Sequence, residues 1–218
     1  VVSLAELFDL SDVCYPELVI DVRDPLELLK RIQPFLREWR NWVIEGDVDP
    51  RAILIGNQIY IAQGAVVEAG AYIKGPTVIG AGTEVRHGAY IRGDVIVGRQ
   101  CVVGHTTEVK HSLFFDHAKA GHFAYIGDSI LGNRVNLGAG TKLANLKVVP
   151  GNVGDTGLRK IGAIIGDDCE LGCNAVTSPG TIIGKGSIIY PAIFARGMIP
   201  PRSVVKQAAP NRIDTKLR

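Results

Sequence analysis

Aromatic side chains make up only 6% of this chain, and methionine occurs once. Its core must therefore be built from small and branched aliphatic side chains, not from large rings. No apolar run approaches the roughly 20 residues that a membrane-spanning helix needs. The first residues, Val1 to Leu10, carry neither the basic residues nor the small-residue cleavage site of a secretory signal. Cys14, Cys101, Cys169 and Cys173 form no CxxC pair and have no metal-ligand spacing. Reduced thiols, a cytoplasmic location and no bound metal are the expectation. The net charge of +2 supplies no concentrated basic face, so a nucleic-acid partner is not expected.

Glycine is abundant, with 26 residues, and the aliphatic residues are strictly spaced. Steps of six from Ile55 reach Ile61, Val67, Ile73, Ile79, Val85, Ile91, Val97, Val103 and Val109, all Ile or Val. Four residues after each comes a small or branched side chain: Ile59, Ala65, Ala71, Thr77, Thr83, Ala89, Val95, Cys101, Thr107 and Leu113. A short period of this kind marks a solenoid, in which each repeat buries its apolar face only by stacking on its neighbours. The pattern resumes at Leu131, Leu137 and Leu143, and again at Ile165, Leu171, Ile183 and Ile189. From Val109 to Leu131 the chain is two residues short of whole hexads. From Leu143 to Ile165 it is four too long. The excess, with Pro150, Gly151, Gly154 and Gly157, predicts an external loop over residues 145–160.

Residues 1–50 do not follow the repeat. Ser3 and Glu6 fit a capping box, and Asp24-Pro25 fits an N-cap with Pro at the first helical position. Leu29, Ile32, Leu36, Trp39 and Val43 trace one helical face. This segment is expected to cap the open end of a solenoid spanning residues 51–205, followed by a solvated basic tail over 206–218 that includes Arg212, Lys216 and Arg218.

Departures from a strict repeat are where function is expected. Arg92 and Lys110 are eighteen residues apart, so they stack at one corner, and two unpaired cations there suggest an anion such as phosphate. His122 can act as a general base near neutral pH. Lys119-Ala-Gly-His-Phe-Ala-Tyr-Ile-Gly-Asp128 and Gly132-Asn-Arg-Val-Asn-Leu-Gly-Ala-Gly-Thr141 resemble the hexapeptide-repeat acyltransferase family. The likeness is to the acetyltransferase domain of bifunctional N-acetylglucosamine-1-phosphate uridyltransferase/glucosamine-1-phosphate acetyltransferases. Ala144-Asn-Leu146 and residues 155–167 are similar to the archaeal sugar-1-phosphate nucleotidyltransferases that carry this domain.

That resemblance implies a left-handed parallel β-helix with three hexapeptides to a coil, assembled as a homotrimer with active sites between neighbours. It also implies acetyl-CoA-dependent N-acetylation of an amino-sugar 1-phosphate. His122 would be the base and Asn145 would orient the substrate. Arg92 and Lys110 would hold phosphate, Tyr125 and Asn136 the sugar, and Ala139 and Cys173 acetyl-CoA. Two alternatives stand beside this reading. One is a non-catalytic β-helix subunit associated with a sugar nucleotidyltransferase. The other is a γ-type carbonic anhydrase, suggested by Ile91-Arg-Gly-Asp94 and the His117-x4-His122 spacing.

Overall fold

In the computed structural model, which describes residues 2–208, the chain winds as a left-handed parallel β-helix. Three flat faces of nine, eight and eight short parallel strands form a triangular prism. Face 1 begins with Asp47–Val48, face 2 with Ile53–Ile55 and face 3 with Ile59–Ile61. Ile61 pairs with Ile79 and Ile79 with Val97, so a regular coil takes eighteen residues. One or two side chains per strand point inward, nearly all aliphatic, and together these form a continuous column with no water-accessible surface over most of its length. The hexad is thus the sequence image of a strand, a turn and one buried knob, repeated three times per coil.

Two registers differ from the simple count of six. Ile55 is 41% exposed, and its neighbour Leu54 takes the inward position opposite Ile73. Leu113 faces outward, and Ser112 sits in the buried row opposite Val95. The two missing residues are split between consecutive coils. Val97 pairs with Phe114 and Phe114 with Leu131, each a step of seventeen. Both deletions fall at the corner between faces 2 and 3. The chain leaves the stack at that same corner after Lys142–Leu143, and a bridge between Leu146 and Lys160 closes the base of the excursion. Val153 tucks back into an apolar cluster, while Val148 and Val149 stand exposed.

The N-terminal helices form where expected. Ser3 and Glu6 make the reciprocal capping box of α1 (Leu4–Leu7), and Asp24 caps α2 (Pro25–Glu38) through the amide of Leu26. α2 stops at Glu38, so Trp39 is its C-cap and Val43 is not helical. These helices do not cover an end of the prism. Leu28, Leu29, Ile32 and Leu36 pack with Leu4, Leu7 and Phe8 along the flank of face 3, over Val78, Ile96, Leu113, Ile130 and Ile164. Face 3 is the one whose outward residues are aliphatic in coil after coil, so covering it removes most apolar surface from water. Each fully buried Leu or Ile there contributes about 1.5–3 kcal/mol. The segment is pinned at its edge by the buried carboxylate of Asp167, which accepts from the amides of Asp9 and Asn133 at 2.6 and 2.7 Å. Arg212, Lys216 and Arg218 lie outside the described residues.

Candidate functional site

At the corner between faces 1 and 2, three successive coils each present a histidine: His87, His105 and His122. The His87 Nδ1 lies 2.6 Å from the Ala69 carbonyl, and the His105 Nδ1 lies 2.8 Å from the His87 carbonyl. Carbonyls only accept, so both Nδ1 atoms carry the hydrogen and both rings are fixed in one tautomer. Their rings stack at 5.6 Å with an interplanar angle of 11°. The pattern breaks at His122: the carbonyl of His105 accepts from the Phe123 amide at 2.7 Å, as that of His87 accepts from the Thr106 amide at 3.4 Å, but no histidine ring joins it. The exposed ring of His122 is left without a protein partner among the described residues, and it lines an open groove of about 640 Å³ on face 1. Asn136, Ala139, Lys119, Glu84 and Arg86 line the same groove. Asn136 is held by Glu170, one coil on, through an Nδ2–Oε2 bond of 2.9 Å.

The corner between faces 2 and 3 holds a second cluster. Arg92 and Lys110 do stack one coil apart, but neither is unpaired. Arg92 meets Glu108 at 2.7 Å and Lys110 meets Asp128 at 3.3 Å. The expectation of two bare cations is thereby corrected, because in each case the next coil supplies the matching acid. Asp128 also accepts from His111 Nδ1 at 2.9 Å and from the side-chain amide of Asn145. Burial alone would raise the Asp128 carboxyl pKa. The bonds from His111 and Asn145 and the charge of Lys110 outweigh that and hold it below the usual carboxylate range. The Tyr125 hydroxyl donates to Asn145 Oδ1 at 3.4 Å. Gly127 makes this meeting possible: a Cβ there would lie 2.6 Å from Asn145 Nδ2 and 2.8 Å from the Tyr125 hydroxyl.

The sequence-predicted residues thus fall into two groups within one chain. His122, Asn136 and Ala139 share the groove on face 1. Arg92, Lys110, Tyr125 and Asn145 gather around the opposite edge of face 2. Exposed Cys173 belongs with the first group: its turn stacks on that of Ala139 through a 2.8 Å bond from the Asn174 amide to the Ala139 carbonyl.

The family profile described as the GMPPB C-terminal domain matches residues 73–156. Over 176 residues the chain is 37% identical to the bifunctional protein GlmU of Methanococcus maripaludis, covering 78% of this chain and 42% of that protein. Over 147 residues it is 36% identical to the bifunctional sugar-1-phosphate nucleotidylyltransferase/acetyltransferase of Sulfurisphaera tokodaii, covering 64% of this chain and 37% of that one. This chain is a hexapeptide-repeat relative of those bifunctional proteins. It spans about two fifths of their length. Among solved structures, the UDP-N-acetylglucosamine acyltransferase of Francisella novicida superposes with a TM-score of 0.52 at 16% identity, covering 75% of this chain and 67% of that chain, a likeness of fold.

Several residues that contact or adjoin these candidates were not singled out as site residues from sequence: Glu108, Asp128, Glu170 and the His87–His105 stack. The histidine spacing of eighteen and then seventeen was a usable signal, since it equals the coil length at each step. His117, in the turn before the strand Lys119–His122, and His122, at its end, have the spacing that suggested carbonic anhydrase and form no metal-ligand cluster among the described residues. Among the described residues, no three or more His, Cys, Asp or Glu side chains gather as metal ligands would. The helices Leu4–Leu7 and Pro25–Glu38 are too short and too polar to cross a membrane.

Proposed function

We propose that this chain forms an acetyl-CoA-dependent N-acetyltransferase site for an amino-sugar 1-phosphate, with His122 as general base. The observation that carries the reading is an imidazole free of protein partners at a groove that also holds Asn136 and Ala139. The relatives are named for sugar-1-phosphate nucleotidylyl transfer and acetyl transfer, which supports the substrate class.

In this reading the neutral sugar amine attacks the thioester carbonyl carbon while His122 removes a proton from the attacking nitrogen. The tetrahedral oxyanion collapses, the carbon–sulfur bond breaks, and imidazolium returns the proton to the departing thiolate. A base of this kind contributes on the order of 10²–10⁴-fold. The coenzyme runs along the stacked turns of Ala139 and Cys173, where backbone groups and small side chains leave room. Arg92 and Lys110 hold the phosphate by exchanging Glu108 and Asp128 for phosphate oxygens.

Because His122 and the Arg92–Lys110 cluster belong to different edges of face 2, we propose that a homotrimer completes each site. The base of one protomer would then meet the cations of its partner. Face 3 is covered by the chain's own helices, leaving faces 1 and 2, with exposed Tyr90, Phe123 and Phe194, for assembly. Coenzyme A release in the presence of glucosamine-1-phosphate or galactosamine-1-phosphate tests the activity, and light scattering tests the trimer. A second reading, a non-catalytic β-helix subunit of a sugar nucleotidyltransferase, draws on the acids already paired with Arg92 and Lys110. Absence of coenzyme A release with every amino-sugar phosphate tried would favour it.

A further inference from the structure

His111 lies at the first of the two shortened turns between faces 2 and 3 and has no role in the chemistry proposed for His122. It adopts a positive φ of 41°, and Asp128, the corresponding residue one coil on, adopts 49°. The two turns stack, so the side chains meet: His111 Nδ1 lies 2.9 Å from Asp128 Oδ1. Lys110 Nζ lies 3.4 and 3.3 Å from the two oxygens of the same carboxylate, and Asn145 Nδ2 donates to Oδ2. Asp128 is 4% exposed, so nearly all of its acceptor capacity is spent on these three groups.

An ionised carboxylate only accepts. The Asn145 amide must therefore turn its NH₂ toward Asp128, because the opposite orientation would set its oxygen against a negative charge. With the NH₂ so placed, Oδ1 lies 3.4 Å from the Tyr125 hydroxyl and accepts its proton. Asn145 is buried and wedged against Gly127, which leaves little room for any other rotamer. The facing of one amide, and of the tyrosine bonded to it, thus depends on a carboxylate whose other oxygen is held by His111.

We propose that Asp128 and His111 are positioning residues for the acyl-transfer site, fixing the orientation of the Asn145 amide and, through its Oδ1, of the Tyr125 hydroxyl. The inference rests on the reading of Asn145 as a substrate-orienting residue, so its test carries a readout independent of turnover. The full chain is compared with H111A, H111N and D128N, using steady-state kinetics and the NMR signals of the Asn145 side-chain NH₂ group.

H111A is expected to lower kcat by about 10- to 100-fold with the KM for acetyl-CoA unchanged, the pattern of a misoriented group. H111N places a donor where Nδ1 stood and is expected to restore kcat to within about threefold of the parent. The Asn145 NH₂ signals should move in H111A and D128N and stay in place in H111N. Parental kcat together with unmoved Asn145 signals in H111A would overturn the proposal. So would equal loss in H111A and H111N, which would mark His111 as a packing residue only. If the parent acetylates nothing, the activity reading fails by itself, and the Asn145 signals alone decide: moved in H111A and D128N, they support the pair; unmoved, they refute it.

Discussion

His105 and His122 are register partners on adjacent strands, yet only His105 has its ring locked to the coil below. The His87 carbonyl accepts both the Thr106 amide and the His105 ring, whereas the His105 carbonyl accepts the Phe123 amide alone. A solenoid repeats its geometry coil by coil, so a broken pattern at one histidine frees that ring to meet a ligand.

His122→Ala should therefore lower kcat by about 10²–10⁴-fold without unfolding the chain, since the side chain supports nothing in the stack. His105→Ala should leave kcat near the parent value and cost about 0.5–1.5 kcal/mol, the worth of one hydrogen bond. Coenzyme A release and urea melts of both variants make the comparison. A His122→Ala protein that turns over at the parental rate would remove His122 as the base.

Asp128 gives a pH dependence with a definite sign. Its folded-state pKa is depressed, so the stability it contributes is present above the ordinary carboxylate range. That stability is lost as pH falls below about 4 and through the lower folded-state value. Asp128→Ala strands donors on Lys110, His111 and Asn145 and should cost about 1–3 kcal/mol at pH 7. The gap between parent and variant should narrow in melts at progressively more acidic pH. A gap that widens on acidification would contradict the assignment.

The cysteines offer a test of the proposed coenzyme path. Burial pushes the Cys101 thiol up to about 12 and the Cys169 thiol up to about 11, so neither should react with a thiol reagent near pH 8 in the folded chain. Exposed Cys173 should react first. Saturating acetyl-CoA should slow its modification severalfold if the coenzyme passes over the stacked turns of Ala139 and Cys173. Mass spectrometry of the modified peptides reads the outcome, and unchanged labelling would place the coenzyme elsewhere.

The N-terminal helices and the prism interior are separate apolar clusters. Ile32→Ala should cost about 2–5 kcal/mol in the helical cluster. The loss should appear as faster hydrogen exchange in α1 and α2, while amides of the inner column keep their protection. Uniform loss of protection would mean that the helices and the prism unfold as one unit.

Residue spacing alone makes much of this architecture legible. The step of six is a direct consequence of strand, turn and inward knob, so the stacked solenoid, its buried column and the outward excursion after Leu143 follow from it, while three hexads to a coil and the left hand follow from the family resemblance. Helix caps at Ser3 and Asp24 are legible because they are local interactions. The helices lie on a flank and not over an end as expected, although a signal for the flank exists. Val78, Ile96, Leu113, Ile130, Ile164 and Ile182 lie on the outside of one face at about one per coil, and an outward aliphatic row must be covered.

By itself, then, the sequence determined the repeating unit, because periodicity encodes contacts between neighbours only one coil apart. It also marked His122, Arg92 and Lys110 as candidates. Only the tertiary structure decided that Glu108 and Asp128 neutralise those cations, that His122 escapes the lock holding His105, and that His111 meets Asp128. Such pairings depend on the rise and corner geometry of successive coils, to a fraction of an ångström, and a count of residues does not carry that information.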